Sequence, residues 1–154
     1  VLFRYSEVLL CYAEAENELN GPSDDVYDKL NLIRNRVGMP HVDVAKYNTQ
    51  DKLRELIRRE RSIEMAGEGL RRADILRWRD AAGKMLAETL LNSDLLRPMG
   101  TIDYAEANPY KRAVVKPNRT VLIEPRSSAP YNRYLPIPQK YRDLNDKLEQ
   151  NEGY

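Results

Sequence analysis

Residues 49–79 carry the sequence TQDKLRELIRRERSIEMAGEGLRRADILRWR, and this stretch decides the fold class. In its first half, apolar residues recur at steps of three and four, which is typical of an amphipathic α-helix. Thr49 supplies the side-chain oxygen of an N-cap, and Gly67 and Gly69 end the pattern. The predicted buried face of this helix consists of Leu53, Leu56, Ile57, Ile63 and Ala66.

The same helical spacing continues on both sides of this stretch. Towards the C-terminus it predicts a further helix over 71–91 that tolerates Gly83 at a modest cost. Towards the N-terminus it predicts two helices, over 4–20 and 24–37, whose short connection favours an antiparallel hairpin. Ser23 or Asp24 supplies the N-cap of the second helix. The stripe expected to be buried in the first of them consists of Tyr5, Val8, Leu9, Tyr12, Ala13 and Leu19.

The helical pattern is lost over residues 92–134. This segment contains five prolines and no sustained period, so we expect it to be long and irregular. Residues 119–123 (RTVLI) are compatible with one short strand, but a strand needs a partner that the sequence does not identify. The tail over 135–154 is expected to hold one short helix, over 141–148. These patterns predict an all-α fold with its helical part over 4–91.

Composition excludes several classes of function. The 25 Lys and Arg residues are balanced by 24 Asp and Glu, so bulk charge does not favour nucleic acid as a partner. One cysteine and one histidine cannot form a disulfide or a structural zinc site, and no stretch approaches the roughly 18 apolar residues of a transmembrane helix. Neither Cys11, expected to be a buried thiol, nor His41 belongs to a recognisable catalytic set. We therefore expect no catalytic residues, no metal and no cofactor.

Arginine and glutamate dominate the polar positions from Arg54 to Arg79, where the sequence contains eight arginines and no lysine. Because arginine pairs with carboxylates in a fixed bidentate geometry, this composition predicts a structural lattice of ion pairs. A glutamate pair for glycoside hydrolysis is disfavoured, because neighbouring arginines would keep both carboxylates ionised and leave no general acid. The expected members of the lattice are Arg34, Glu60, Glu64, Arg71 and Asp74.

The aromatic residues are mostly tyrosines, with ten Tyr and one Trp against one Phe. Aromatic rings that carry a polar group can stack on the apolar faces of sugars while hydrogen-bonding their hydroxyls. The alternative is that these rings only attach a long loop to the helices. The candidate ligand-binding residues are Trp78, Tyr104, Tyr110, Tyr131 and Tyr134.

Four motifs lie in order along the chain. They are RYSEVLLCYAEA at 4–15, LNLIRNRVG at 30–38, RERSIE through RW at 59–78, and YLPIP through QNEGY at 134–154. In this order they make the chain resemble the C-terminal part of the SusD/RagB family, the glycan-binding lipoproteins of Bacteroidetes outer membranes. One departure from the family pattern is Glu152, which stands where proline is usual.

The resemblance implies tetratricopeptide-like helix hairpins and a non-catalytic function. Family members capture oligosaccharides, or sometimes peptides, at the bacterial cell surface for import through a SusC-like TonB-dependent transporter. A lipid anchor attaches them to the outer membrane, and we expect it to belong to an N-terminal part absent from this chain. In relatives the sugar contacts come largely from loops upstream of this region, so the resemblance transfers no ligand residue.

Two other functions remain open from the sequence. One is a helical protein–protein interaction scaffold, and the other, less favoured, is a glycoside hydrolase. Under the leading hypothesis the partners are an oligosaccharide and the transporter, with no nucleic acid and with membrane contact only through the absent anchor.

Overall fold

Three helices build the first part of the chain in the computed structural model, which describes residues 4–154 apart from the side chains of Tyr110, Pro117 and Asn118. The chain divides into two compact units, Val1–Arg72 and Ala73–Tyr154. The helices of the first unit are α1 (Tyr5–Asn20), α2 (Asp24–Arg36) and α3 (Gln50–Glu64).

The N-caps of α2 and α3 follow the sequence prediction. The Ser23 hydroxyl accepts a hydrogen bond from the Val26 amide, and the Thr49 hydroxyl accepts one from the Lys52 amide, each at 3.4 Å. These bonds satisfy amides that have no partner within the first turn of a helix. Two of the predicted helix starts are therefore confirmed at the level of their capping atoms.

Contacts at both ends of α1 show how the three helices run. Arg4, just before α1, bonds with Glu64 at the end of α3. Near the other end of α1, the buried Asn17 side-chain amide donates to the Gln50 carbonyl at 3.1 Å, and the Gln50 amide donates to the Asn17 carbonyl at 2.7 Å. Arg36, at the end of α2, also reaches Glu64. Thus α1 is antiparallel to both α2 and α3, as the hairpin prediction requires, while the tetratricopeptide-like arrangement stays a prediction.

The core of this unit is apolar and draws on all three helices. Its buried members are Leu9, Leu10, Ala13, Val26, Tyr27, Leu30, Ile33, Val42, Leu53, Leu56, Ile57 and Met65. The prediction for α3 was correct for three of its five positions and wrong for Ile63 and Ala66, which are exposed. By the last turn the buried position of α3 is Arg61, and Ile63 lies about 200° around the helix from it.

The predicted buried stripe of α1 is also partly wrong. Leu9 and Ala13 are buried as expected, and together with Leu10 and Asn17 they form the inward face of the helix. Leu9, Ala13 and Asn17 follow one another at intervals of four residues, so they lie on one side of the helix. The other residues of the predicted stripe lie outside this side. The predictions of burial are wrong for the residues that are exposed instead, which are Tyr5, Val8, Tyr12 and Leu19 of the stripe and the Cys11 thiol.

A β-hairpin replaces much of the segment expected to be irregular, so the fold is mostly helical, as predicted, but not all-α. Strands β1 (Leu95–Ile102) and β2 (Ala113–Glu124) pair antiparallel as a two-stranded sheet. The partner of the 119–123 segment is β1, with Arg97 opposite Val121 and Pro98 opposite Thr120. The pairing of the two strands is irregular between Pro98 and Gly100. Every residue of β1 is exposed, so the strand lacks the alternation of polar and apolar residues that marks a half-buried strand.

The helix expected over 71–91 is divided into α4 (Arg71–Arg77) and α5 (Leu86–Leu91). Gly83, between the two helices, has a φ of 78°, the left-handed region that glycine adopts without strain and that is incompatible with a continuous α-helix. The Asp80 carboxylate accepts from the amides of Ala82 and Lys84, both at 2.9 Å, and so stabilises this turn.

The rest of the second unit is made of short elements. Two 3-10 turns, Pro109–Lys111 and Pro130–Arg133, follow β1 and β2 respectively. The tail contains α6 (Gln139–Arg142), a single turn that is shorter and earlier than the helix predicted over 141–148. Over residues 4–154, no helix is both long and apolar enough to cross a membrane.

Candidate ligand-binding site

A cavity of about 360 Å³ opens beside the Pro130–Arg133 turn in the second unit. The turn and the last residues of the chain form its walls. Its lining contains two of the tyrosines that the sequence singled out, one cation and one carboxylate. The lining residues are Pro130, Tyr131, Arg133, Tyr134, Glu152 and Gly153.

Packing between tyrosines holds the tail of the chain against the turn. The rings of Tyr131 and Tyr154 meet edge to face, with centroids 5.2 Å apart, and the Tyr154 hydroxyl donates to the Tyr134 carbonyl at 2.9 Å. Gly153 has a φ of 92°, and a Cβ built on it would lie 2.4 Å from ring carbons of Tyr131. Only glycine lets the backbone approach the ring this closely, so this wall depends on Gly153.

Side-chain amides attach the tail to the segment after the turn. The Gln150 amide accepts from the Ile137 N–H at 2.8 Å and donates to the Ile137 carbonyl at 3.1 Å. Asn151 donates to the Leu135 carbonyl at 2.6 Å. Ile137 lies between two prolines, which have no N–H to pair, so these amides supply partners that a regular element would provide. The YLPIP and QNEGY motifs are thus two sides of one hydrogen-bonded structure.

The cavity is chemically suited to a hydroxylated ligand. The Tyr134 ring is half exposed, and the Arg133 guanidinium lies 4.7 Å from its centroid. Glu152 adds a carboxylate that can accept hydrogen bonds from hydroxyl groups, and Arg133 adds donors. The cavity thus combines a half-exposed tyrosine ring, which has the guanidinium over one face, with a carboxylate in the same lining.

The arginine–carboxylate network in the first unit joins the three helices. Arg34 donates to Glu60 at 2.5 Å, and both residues were expected members of the lattice, although the sequence did not say which arginine pairs with which carboxylate. Glu64 accepts from Arg4 at 2.9 Å and from Arg36 at 2.7 and 2.8 Å, so one carboxylate connects the start of α1, the end of α2 and the end of α3. We call Arg4, Arg36 and Glu64 the three-helix clasp.

The clasp also fixes the charge of Glu64. Burial alone would raise its pKa, but hydrogen bonds from Ser6 and Arg4 and the charge of Arg36 together lower the pKa below its ordinary value. A general acid must hold its proton near neutral pH, and Glu64 in this setting does not. The clasp therefore suits a structural role for Glu64 better than a hydrolytic one.

Comparison with known proteins gives these motifs a family. The model of the SusD family matches residues 1–154, the whole chain. The chain belongs to the SusD family.

Individual relatives agree with this assignment. SusD-like protein P25 of Formosa agariphila is 40% identical over 79 residues, which are 51% of this chain and 15% of the relative. SusD-like protein P38 of the same organism is 36% identical over 91 residues, 55% of this chain and 18% of the relative. The crystal structure of a SusD-like protein from Bacteroides fragilis matches with a TM-score of 0.66 and 27% identity, covering 100% of this chain and 26% of that one. The chain thus spans a fifth or less of the length of these two curated relatives.

The structure separates the five candidate ligand residues of this SusD-family chain. Tyr131 and Tyr134 lie together in the cavity. Trp78 is buried, with 3% of its surface exposed, so its ring offers no platform to a ligand. Tyr104 lies in the connection between β1 and β2 with 78% exposed, and the side chain of Tyr110 lies outside the described residues.

Asp74 and Arg71 were expected in the same ion-pair lattice as Arg34, Glu60 and Glu64, but the structure gives each of them a different partner. Asp74 is buried and pairs with Arg77 at 2.9 Å, three residues further along α4. Arg71 is exposed, and its guanidinium donates to the Ser62 hydroxyl at 2.5 Å. The role of these residues as signatures of the SusD family stays a prediction.

Arg4 is the structural residue that sequence reasoning missed. Besides Glu64 it contacts Glu68, and it donates to the Glu64 carbonyl at 2.6 Å, so it caps the C-terminus of α3. Its position at the start of the RYSEVLL motif was visible, but nothing in the sequence indicated a partner sixty residues away.

Proposed function

We propose that this chain is the C-terminal part of a SusD-like surface protein that captures glycans without cleaving them. SusD-like proteins are known as surface glycan-binding proteins, and membership of that family supports the proposal. The whole protein would sit on the outer membrane by an N-terminal lipid anchor and pass its ligand to a SusC-like TonB-dependent transporter. Within this chain, the Tyr131–Tyr134 cavity would add a sugar platform to the contacts made elsewhere in the protein.

The observation that carries this proposal is the pairing of Tyr131 and Tyr134 with Arg133 and Glu152 in one cavity. Sugar rings present C–H faces and hydroxyl edges, and such a site offers an aromatic face with a donor and an acceptor beside it. The cavity is small, so the affinity of this chain alone should be weak.

The test is a titration of this chain with neutral oligosaccharides, followed by NMR chemical shifts. We expect millimolar binding to at least one of a panel of maltose-, xylose- and mannose-based oligomers. Tyr134→Ala should weaken that binding by about three- to tenfold, because one stacked ring contributes about 0.5–1.5 kcal/mol. Gly153→Ala should weaken it as well, because its added methyl group displaces the Tyr131 ring.

Tyr104→Ala is the matched control, since that tyrosine is exposed but outside the cavity. Equal losses for Tyr104→Ala and Tyr134→Ala would contradict a site at this cavity. Release of reducing sugar that disappears in Glu60→Gln would contradict the non-catalytic part of the proposal and restore the hydrolase.

One observation favours the alternative function, a helical protein–protein scaffold. Tyr5, Val8 and Tyr12 lie at helical spacing on α1 and are 72%, 57% and 44% exposed. A face of this kind buries apolar surface against a partner protein. Tyr5 and Val8 are both replaced by serine to test this alternative. If binding of the full-length protein to its partner proteins is unchanged in that variant, the alternative is removed.

A further inference from the structure

A second cavity, of about 400 Å³, lies in the first unit and has a different character. One wall is the face of α3 on which residues 52, 55, 56 and 59 recur at helical spacing, and the other is the turn before that helix. Both walls belong to the same compact unit. The lining residues are Lys46, Tyr47, Lys52, Glu55, Leu56 and Arg59.

Hydrogen bonds hold the turn in place before any ligand arrives. The amides of Lys46 and Tyr47 donate to the Asp43 carbonyl at 3.1 and 3.0 Å. The buried Tyr27 hydroxyl donates to the Tyr47 carbonyl at 2.8 Å, which attaches the turn to the core. Leu56, 1% exposed, adds a buried apolar side chain to the lining. The site is therefore preorganised by the packing of α2 and α3, which lowers the cost of binding.

Positive charge dominates the cavity. Three cations and one carboxylate line it, and two of the cations converge on one ring: Lys46 lies 5.2 Å and Arg59 6.0 Å from the Tyr47 centroid. Arg59 also donates to the Tyr47 hydroxyl at 2.7 Å. The hydrogen bond from Arg59, with a smaller one from Lys46, lowers the pKa of Tyr47 despite burial. The ring thus lies in a field that favours negative charge.

We propose that this cavity binds the carboxylate or sulfate group of a hydroxylated ligand, such as an acidic sugar. Arg59 and the two lysines supply charged donors, and the Tyr47 hydroxyl, which already accepts from Arg59, has its own proton to donate. Glu55 would repel a second anionic group but accepts hydrogen bonds from hydroxyls, so it favours one anionic group next to hydroxyls. The site uses no residue of the Tyr131–Tyr134 cavity.

The experiment is an NMR titration of this chain at about 20 mM ionic strength with sodium sulfate, galacturonate and galactose. We expect the amides of 46–59 to shift with sulfate and galacturonate, and galactose to bind at least about tenfold more weakly. Arg59→Gln should weaken galacturonate binding about tenfold or more, and Lys52→Gln less. Tyr47→Phe should also weaken it while leaving the carbonyl contact with Tyr27 intact.

Lys147→Gln is the control, because it removes one exposed positive charge in the other unit. Equal weakening by Arg59→Gln and Lys147→Gln would show a general charge effect and overturn the site, as would equal affinity for galactose and galacturonate. Tyr134→Ala should leave galacturonate binding unchanged. Failure of the neutral-sugar proposal and failure of this one are therefore separate results.

Discussion

A Glu64→Gln variant is expected to lose about 2 kcal/mol of unfolding free energy at pH 7, and with it part of the sensitivity of the chain to acid. Glu64 is the last residue of α3, where the helix dipole disfavours a negative charge. Its side chain is only 12% exposed and is held by Arg4 and Arg36. The amide keeps the shape of glutamate but leaves two guanidinium groups without the carboxylate that they share.

The pH dependence of this loss follows from the lowered pKa of Glu64. A carboxyl whose pKa is lower in the folded than in the unfolded chain stabilises the fold above its unfolded pKa, about 4.3. That stabilisation disappears as the pH falls through the folded pKa. The difference between the parent chain and Glu64→Gln should therefore be widest near neutral pH and should narrow below a pH of about 4.3.

Urea unfolding followed by circular dichroism across that pH range measures the difference. Glu55→Gln is the control, because it removes an exposed carboxylate from the same helix. A Glu64→Gln loss no larger than that of Glu55→Gln would mean that the three-helix clasp contributes nothing to stability. If the loss of unfolding free energy in Glu64→Gln stays constant down to acidic pH, the loss comes from packing and not from the charge of Glu64.

The sequence predicted most where local rules decide the structure. Helices α1, α2 and α3 follow from apolar spacing, and Ser23 and Thr49 cap the helices at the expected places. An arginine partner for Glu60 was also expected, since a charge bordering an apolar stripe needs a partner and arginines are abundant, but the choice of Arg34 came only from the structure. These features depend on residues within one helix or on composition, and both can be read along the chain.

The β-hairpin could not be predicted because its stability comes from pairing between distant residues. Leu95 pairs with Glu124, and β1 is exposed along its whole length, so it lacks the period-two pattern of a half-buried strand. Pro98 further argued against a strand, yet it sits beside an irregularity of the ladder where a missing N–H is tolerated.

The candidate site illustrates the same limit. Tyr131 and Tyr134 were selected as two of five aromatic residues, but their partners Glu152 and Gly153 come from the end of the chain. Glu152 departs from the family pattern, but nothing in the sequence around it indicates that it lies beside a tyrosine. Trp78, the most conspicuous candidate by residue type, is buried.

Asp74 and Arg71, which the sequence treated as equivalent members of one lattice, should differ strongly when each is replaced by alanine. Asp74 is 3% exposed, and both Nε and Nη2 of Arg77 donate to one of its oxygens, at 3.2 and 2.9 Å. Its removal leaves charged donors of Arg77 without this carboxylate in a part-buried setting, so we expect a loss of about 2–4 kcal/mol. Arg71 is exposed, so its loss should stay below about 1 kcal/mol.

Thermal and urea unfolding of Asp74→Ala, Asp74→Asn and Arg71→Ala, side by side, measure this difference. Asp74→Asn keeps an oxygen that can accept from Arg77 but removes the charge, so it should fall between the parent chain and Asp74→Ala. If Asp74→Asn is as unstable as Asp74→Ala, the charge itself is what the second unit needs. If Arg71→Ala is the more damaging variant, then the exposed arginine contributes more to stability than the buried carboxylate, and burial does not rank these two residues.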